Sequence, residues 1–193
     1  MKPLFYILVI AFVFSCSKEN RNLIDKNQIG LLTNETEFYE VKNIMHEDSV
    51  VTETTNDGFV SSVSKKKQKL IVFDTSGQKL MEINPLKTSD SLTLIQDVRI
   101  FSENYKTNNG IGIGSSFADL KKNHDINNIQ TSLSSIIINL KDIDAMVSFS
   151  KEVLPGNVRF DNDAVIKSTM IPDDAEINRF WLYFKAEDSN EKN

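Results

Sequence analysis

The residues that could carry chemistry in this chain are two histidines, a glycine run, two short acidic groups and one cysteine. His46-Glu47-Asp48 and His124-Asp125 have ligand-type side chains, but neither has the HExxH spacing that sets two imidazoles on one helix face. Each closes an expected helix, where a cation is favoured by the helix dipole. Gly110-Ile-Gly-Ile-Gly114-Ser-Ser looks like a phosphate loop. However, Ser115 stands where a dinucleotide fingerprint needs its third glycine, and the Gly-Lys-Ser/Thr of a nucleotide-triphosphate loop is absent. A tight strand-to-helix turn capped by Ser116 is expected instead. Asp161-Asn162-Asp163 and Asp173-Asp174 offer too few ligands for a calcium loop and read as polar turns, with Pro172-Asp173-Asp174-Ala175 leading into the last strand. No Gly-x-Ser-x-Gly elbow supplies a nucleophile. The lone Cys16 excludes an internal disulfide framework and a cysteine-based zinc knuckle. No metal, no cofactor and no enzymatic activity are therefore expected.

Two further groups point to binding. Lys65-Lys66-Lys67 with Lys69 is the basic cluster. It would keep a sheet edge soluble or touch anionic headgroups. Trp181, Tyr183 and Phe184, beside Phe180, place aromatics on both faces of an expected final strand. One face packs in the core, and the other would be a partner surface, because aromatics dominate binding hot spots. A formal charge of −5 and a pI of about 5.1 weigh against nucleic acid as a partner.

Cys16 gains meaning from what precedes it. Lys2 gives a short positive region, residues 4–14 are apolar, and Ser15 is small, which is the layout of a secretory signal. Eleven residues rise only about 16 Å as a helix, too short for a bilayer core. Val13-Phe14-Ser15-Cys16 resembles a bacterial lipobox, with Phe14 bulkier than the usual residue at that position. The resemblance implies cleavage before Cys16 and acylation, palmitate included, of its thiol and new amine. Ser17 at the following position is not the aspartate of inner-membrane retention, which implies the outer membrane. Lys18-Glu19 resembles the surface-export tether of Bacteroidota lipoproteins, so a periplasmic face and the cell surface both stay open.

The elements that would position these residues favour strands. Isoleucine and valine are frequent and alanine is scarce. An offset of 82 relates Ile29-Gly30 and Asn34-x-x-Glu37-Phe38 to Ile111-Gly112 and Ser116-x-x-Asp119-Leu120. It also relates Ile95-x-x-Val98-Arg99-Ile100-Phe101 to Ile177-x-x-Phe180-Trp181-Leu182-Tyr183. Each half reads as a capped helix (34–45 and 116–124) followed by antiparallel strands. Phe38, Val41 and Ile44, and Phe117 and Leu120, face inward. Hairpins are expected at 69–74 with 79–84, at 134–140 with 145–150, and around Asp57-Gly58 between 50–54 and 59–63.

The predicted organisation is a signal peptide at 1–15, a flexible tether at 16–27, repeats at 28–104 and 105–186, and a disordered tail at 187–193. The fold class is α+β, with two related halves, each one short helix on a three- or four-stranded antiparallel sheet. The segment from Val98 to Lys121 resembles a pattern in uncharacterised Bacteroidota lipoproteins. The layout is loosely similar to the β-lactamase-inhibitor-protein architecture and to small outer-membrane assembly lipoproteins, which use two helices per unit. The expected function is a lipid-anchored, non-enzymatic binding or interaction module of the cell envelope, its partners a membrane through Cys16 and an envelope protein. The alternatives are a small-solute binder or enzyme working in a cleft between the halves, and an inhibitor or immunity lipoprotein.

Overall fold

The computed structural model describes residues 21–56, 66–87, 89, 91–126, 128–161 and 164–185. Three short strands open it: β1 (Leu23–Asp25), β2 (Gln28–Ile29) and β3 (Leu32–Thr33). A 3-10 turn (Phe38–Glu40) runs into α1 (Val41–Ile44). Four long strands follow: β4 (Ser49–Asn56), β5 (Lys66–Phe73), β6 (Lys79–Lys87) and β7 (Thr93–Ile100). The pattern then returns as β8 (Lys106–Thr107), α2 (Phe117–Asn123), β9 (Ile129–Thr131), β10 (Ser135–Leu140) and β11 (Ala145–Ser150). A looped stretch carrying α3 (Gly156–Arg159) leads to β12 (Arg179–Tyr183).

The fold is α+β. One eight-stranded sheet runs β4-β5-β6-β7-β12-β11-β10-β9, entirely antiparallel, and a small sheet runs β3-β2-β1-β8. Each half therefore gives the large sheet a four-strand meander, and the two meanders meet through their last strands. Across that seam Ile100 faces Phe180, Arg99 faces Trp181 and Val98 faces Leu182. The 82-residue offset carries Val98 onto Phe180 and Ile100 onto Leu182, so it exchanges the two flanking pairs. It leaves the pair Arg99–Trp181 in place, so a local two-fold axis passes through that pair.

Strand alternation decides which side is buried. Val98, Ile100, Phe180, Leu182, Val147, Ile136 and Ile138 point to one side and are fully buried. The helices and the small sheet cover that side with Phe38, Val41, Phe117, Leu120, Ile24, Ile29 and Leu32. Phe117 meets Phe149 of β11 edge-to-face, with ring centroids 5.5 Å apart. Pro85, within β6, lies past the last β5 pairing and beside a register shift against β7. Its missing N–H therefore faces the side where β5 no longer pairs.

Several expectations are corrected. The first helix is shorter than 34–45, spanning residues 38–44, and Asn34 does not cap it. Thr33 N donates to Thr36 Oγ1 (2.9 Å) and Thr36 N to the Thr33 carbonyl (3.1 Å), which closes a turn before the helix begins. Asn34 Nδ2 reaches the Lys185 carbonyl instead, at 3.1 Å. At α2, Ser116 Oγ accepts from Asp119 N (3.1 Å) as expected. Asp119 Oδ2 takes the Ser116 hydroxyl proton rather than the cap N–H. The partner of 50–54 is 68–72 of β5, not 59–63, because Val50 pairs Val72 and Thr54 pairs Gln68. Asp57-Gly58 and 59–63 lie outside the described residues. Within the stretch expected as a tether, 16–27, residues 23–25 are instead part of the fold, since β1 pairs β2 and β8 and Ile24 is 1% exposed. Two adjacent apolar residues suffice to dock that stretch. The signal peptide, Cys16 and the tail at 187–193 lie outside the described residues. No helix among the described residues is long and apolar enough to cross a membrane.

Gly30 and Gly112, one offset apart, both sit where backbone crosses backbone. A Cβ at Gly30 would stand 2.3 Å from the Arg21 carbonyl oxygen, and one at Gly112 would stand 2.3 Å from that of Tyr105. Gly112→Ala forces main chain to move, and we predict a loss of about 1–3 kcal/mol. Urea unfolding followed by Trp181 fluorescence measures it. Wild-type stability would show that the loop has room.

Candidate functional site

The large sheet has one face packed in the core and one turned outward. By register, a row of outward residues crosses it: Val51, Ile71, Glu82, Arg99, Trp181, Met146 and Asn139. At its centre the Arg99 guanidinium lies between two rings, 4.8 Å from the centroid of Phe101 and 5.2 Å from that of Trp181. Lys79 Nζ stands 4.0 Å from the Phe101 centroid. These cations stack because neighbouring strands place alternate side chains about one pair spacing apart.

Ion pairs flank the stack. Glu82 accepts from Lys79 and from Lys69, and Lys69 also pairs with Glu53 at 3.3 Å. Partial burial alone would raise the Glu82 carboxyl, but the two lysines outweigh it and hold it below its usual range. Burial likewise works to lower Lys69, and Glu82 and Glu53 reverse this, so its ammonium is held above the ordinary lysine value. On the other flank Asn84 Nδ2 donates to Asp97 Oδ1 at 2.8 Å. Burial raises the Asp97 carboxyl, and the Asn84 bond offsets part of that. Asp97 lies opposite Tyr183, whose hydroxyl is pushed up by burial and then by the Asp97 charge. The Tyr183 hydroxyl points to Met146 Sδ, 4.0 Å away.

The three aromatics expected to form a surface separate. Trp181 is half-buried on the outward row and Tyr183 is 37% exposed, but Phe184 is 6% exposed and belongs to the core. Phe184 follows the same alternation, inward like Phe180 and Leu182, and its N–H continues the pairing by bonding the Gln96 carbonyl at 2.9 Å. Arg99, Phe101, Lys79 and Glu82, the other members of the face, went unrecognised in the sequence. Their signal was present in the offset, which makes Arg99 the counterpart of Trp181. The lysine cluster does not open an edge strand: β5 lies between β4 and β6, and Lys69 is spent on Glu53 and Glu82. Lys65 lies outside the described residues.

Neither histidine builds a reactive centre. His46 is exposed, its Nδ1 3.3 Å from the Asn43 carbonyl. His124 is buried, with Nδ1 2.7 Å from Asp142 Oδ2, beside a cavity of about 300 Å³ rimmed by Lys121, Lys122 and Lys141. Its other nitrogen, Nε2, has no partner among the described residues and is closed off from solvent. A carboxylate-oriented imidazole whose free nitrogen no substrate can reach serves packing. The glycine run is a turn: Gly110 N bonds the Thr107 carbonyl (2.8 Å) and Gly114 N that of Ile177 (2.9 Å). Asp173 pairs with Lys121. Among the described residues no group of three His, Cys, Asp or Glu side chains could hold a metal. Main-chain pairing closes the seam between the halves, so no cleft opens there within the sheet.

No family model matches this sequence, and no curated protein matches it. A solved structure is similar in fold. The crystal structure of the uncharacterized protein yfeY from Escherichia coli superposes with a TM-score of 0.56 at 14% identity, covering 83% of this chain and 99% of that one. At that identity the likeness concerns architecture alone.

Asp97 sets a prediction with a definite sign. Its folded carboxyl binds a proton more tightly than the unfolded value of 3.8, so its ionisation costs stability as pH rises from 3.8 through the folded value. Asp97→Asn keeps an acceptor for Asn84 and removes that cost. The variant should be more stable than wild type at pH 7, with the difference vanishing below pH 3.8. Denaturation midpoints at both pH values test this, and a variant less stable at pH 7 contradicts it.

Proposed function

We propose that this protein is a lipid-anchored interaction module of the bacterial outer membrane, tethered by Cys16 and binding an envelope protein through the outward face of its large sheet. The observation that carries the reading is the Arg99 guanidinium stacked between Phe101 and Trp181 at the middle of that face. Tryptophan and arginine are the residues most enriched at binding hot spots, and they act best when central and ringed by weaker contacts. Met146 continues the row beyond Trp181, and on the other side the ion-paired Glu82 borders the stack and separates it from the apolar pair Ile71 and Val51. The face is held by main-chain pairing on both sides of Trp181, so little ordering is needed when a partner docks.

Anchoring through Cys16 fits this arrangement. The chain enters the fold at β1, in the layer that covers the buried side of the large sheet. Six residues lie between Cys16 and Leu23, and the seven chain steps reach at most about 25 Å when extended. The domain would therefore ride close to the bilayer, with the partner face on the layer away from its point of entry. Several acyl chains on one cysteine make a stable anchor, which a single chain does not.

Cys16→Ala should shift the protein from the membrane to the soluble fraction, and unchanged fractionation would remove the anchor. Arg99→Ala and Trp181→Ala should each cut recovery of the bound envelope protein from intact cells at least about tenfold, the range of a hot-spot truncation. Equal recovery of the same protein by wild type and both variants would rule out this face.

A further inference from the structure

A second cavity, of about 220 Å³, lies away from the outward face, where the small sheet and the end of α1 meet β6. Ile29, Leu31, Ile44, Met45 and Leu80 give it an apolar wall. Two acidic residues, Asp48 and Asp74, also line it. Asp74 is fixed as an anion: its Oδ1 accepts from Ser76 N (2.8 Å), Ser76 Oγ (2.6 Å) and Gln78 N (2.8 Å). The Ser76 hydroxyl is the main reason its carboxyl sits below the usual range, and Oδ2 takes no part in that turn. Asp48 is half-buried and makes neither a side-chain hydrogen bond nor an ion pair among the described residues. Arg21 also lines the cavity; its guanidinium is paired with Glu47, and its charge also favours the ionised form of Asp48.

Tyr105 is the independent observation. It is 4% exposed, it lines the same cavity, and its hydroxyl finds no hydrogen-bond partner among the described residues. Its ring is buried, whereas its hydroxyl is not among the polar atoms sealed from solvent, which leaves the oxygen open to a ligand in the cavity it lines. Burial, and then the nearby Asp48 charge, push this one up to about 12, so it is a neutral hydroxyl at neutral pH. Two carboxylates with spare acceptor capacity and an idle hydroxyl thus converge over an apolar wall.

We propose that this cavity binds a small organic ammonium ion, its charged nitrogen donating to Asp48, Asp74 and the Tyr105 oxygen and its hydrocarbon part lying on the Ile29–Leu80 wall. An ammonium has three donors and no acceptor, which matches a site with acceptors to spare. A divalent metal suits it poorly: calcium takes six to eight oxygens, and half of this lining is aliphatic. The ligand class is thus an amine with an apolar body. This site is independent of the sheet face and of the anchor.

Titration of the purified full chain with cyclohexylammonium chloride, followed by amide shifts of Asn104 and Tyr105 and by calorimetry, tests the assignment. The expected result is saturable one-to-one binding. It should weaken at least about tenfold in Asp48→Asn, the scale of one charged hydrogen bond, and more modestly in Tyr105→Phe. Trp181→Ala should bind as wild type does. A thermal melt establishes that each variant is folded. If Asp48→Asn is not, neutral cyclohexanol in wild type replaces it, and should fail to saturate. Equal binding of cyclohexanol, equal binding by a folded Asp48→Asn, displacement of the amine by calcium, or no shift at Tyr105 would each overturn the proposal.

Discussion

The pairing of β7 with β12 is the interaction on which the rest of this structure depends. Each half alone is a four-strand meander with one apolar face and an edge of unpaired N–H and C=O groups, and an edge of that kind is an aggregation hazard. Joining the two last strands removes two of those edges at once. It also makes one continuous core of the two halves, because Val98, Ile100, Phe180 and Leu182 lie side by side in a single buried cluster with residues of both helices. The C-terminal end of β12 then locks the beginning of the chain. Lys185 N bonds Asn27 Oδ1 (2.9 Å), and its carbonyl accepts from Asn34 (3.1 Å).

The same pairing produces the outward stack. Alternation along a strand is strict, so burying Phe180 and Leu182 obliges Trp181 to face outward, and burying Val98 and Ile100 does the same to Arg99. The two meet because they share the local two-fold axis. An indole and a guanidinium on adjacent central strands have little freedom to move apart, since neighbouring strands lie only about 4.8 Å apart. Stability thus requires the geometry of the proposed partner face, and the identities of the two side chains there are left free for function.

Much of the fold was legible in the sequence where periodicity was strong. The hairpins 69–74 with 79–84 and 134–140 with 145–150 were marked by apolar runs on either side of short polar turns, and β5–β6 and β10–β11 form there. Ser116-x-x-Asp119 announced α2 because both cap residues are good ones, whereas Asn34-x-x-Glu37 misled because Thr33 and Thr36 close a competing turn. The start at β1 was hidden by its shortness: Leu23-Ile24 is too brief for any period and is ordered by its pairing with β2 and with β8. The stretch carrying α3 replaces the short link between β6 and β7, and no signal in residues 151–171 marked it. Of the site, Trp181 and Tyr183 could be read from the alternation. Phe184 has the parity of Phe180 and Leu182, so the same alternation assigns it to the core, where it lies, and not to the partner surface. Arg99 and the cavity around Tyr105 depend on which strands become neighbours, and a single sequence does not state that.

The central claim is that the seam holds the two meanders as one cooperative sheet. Native-state hydrogen exchange tests it most directly. If the seam is the keystone, the amides bonding β7 to β12, those of Val98, Ile100, Phe180 and Leu182 among them, exchange only with global unfolding and share one denaturant dependence with β5–β6 and β10–β11. Seam amides that exchange by a smaller opening, while the hairpins on either side stay protected, would show two independent halves and contradict the account.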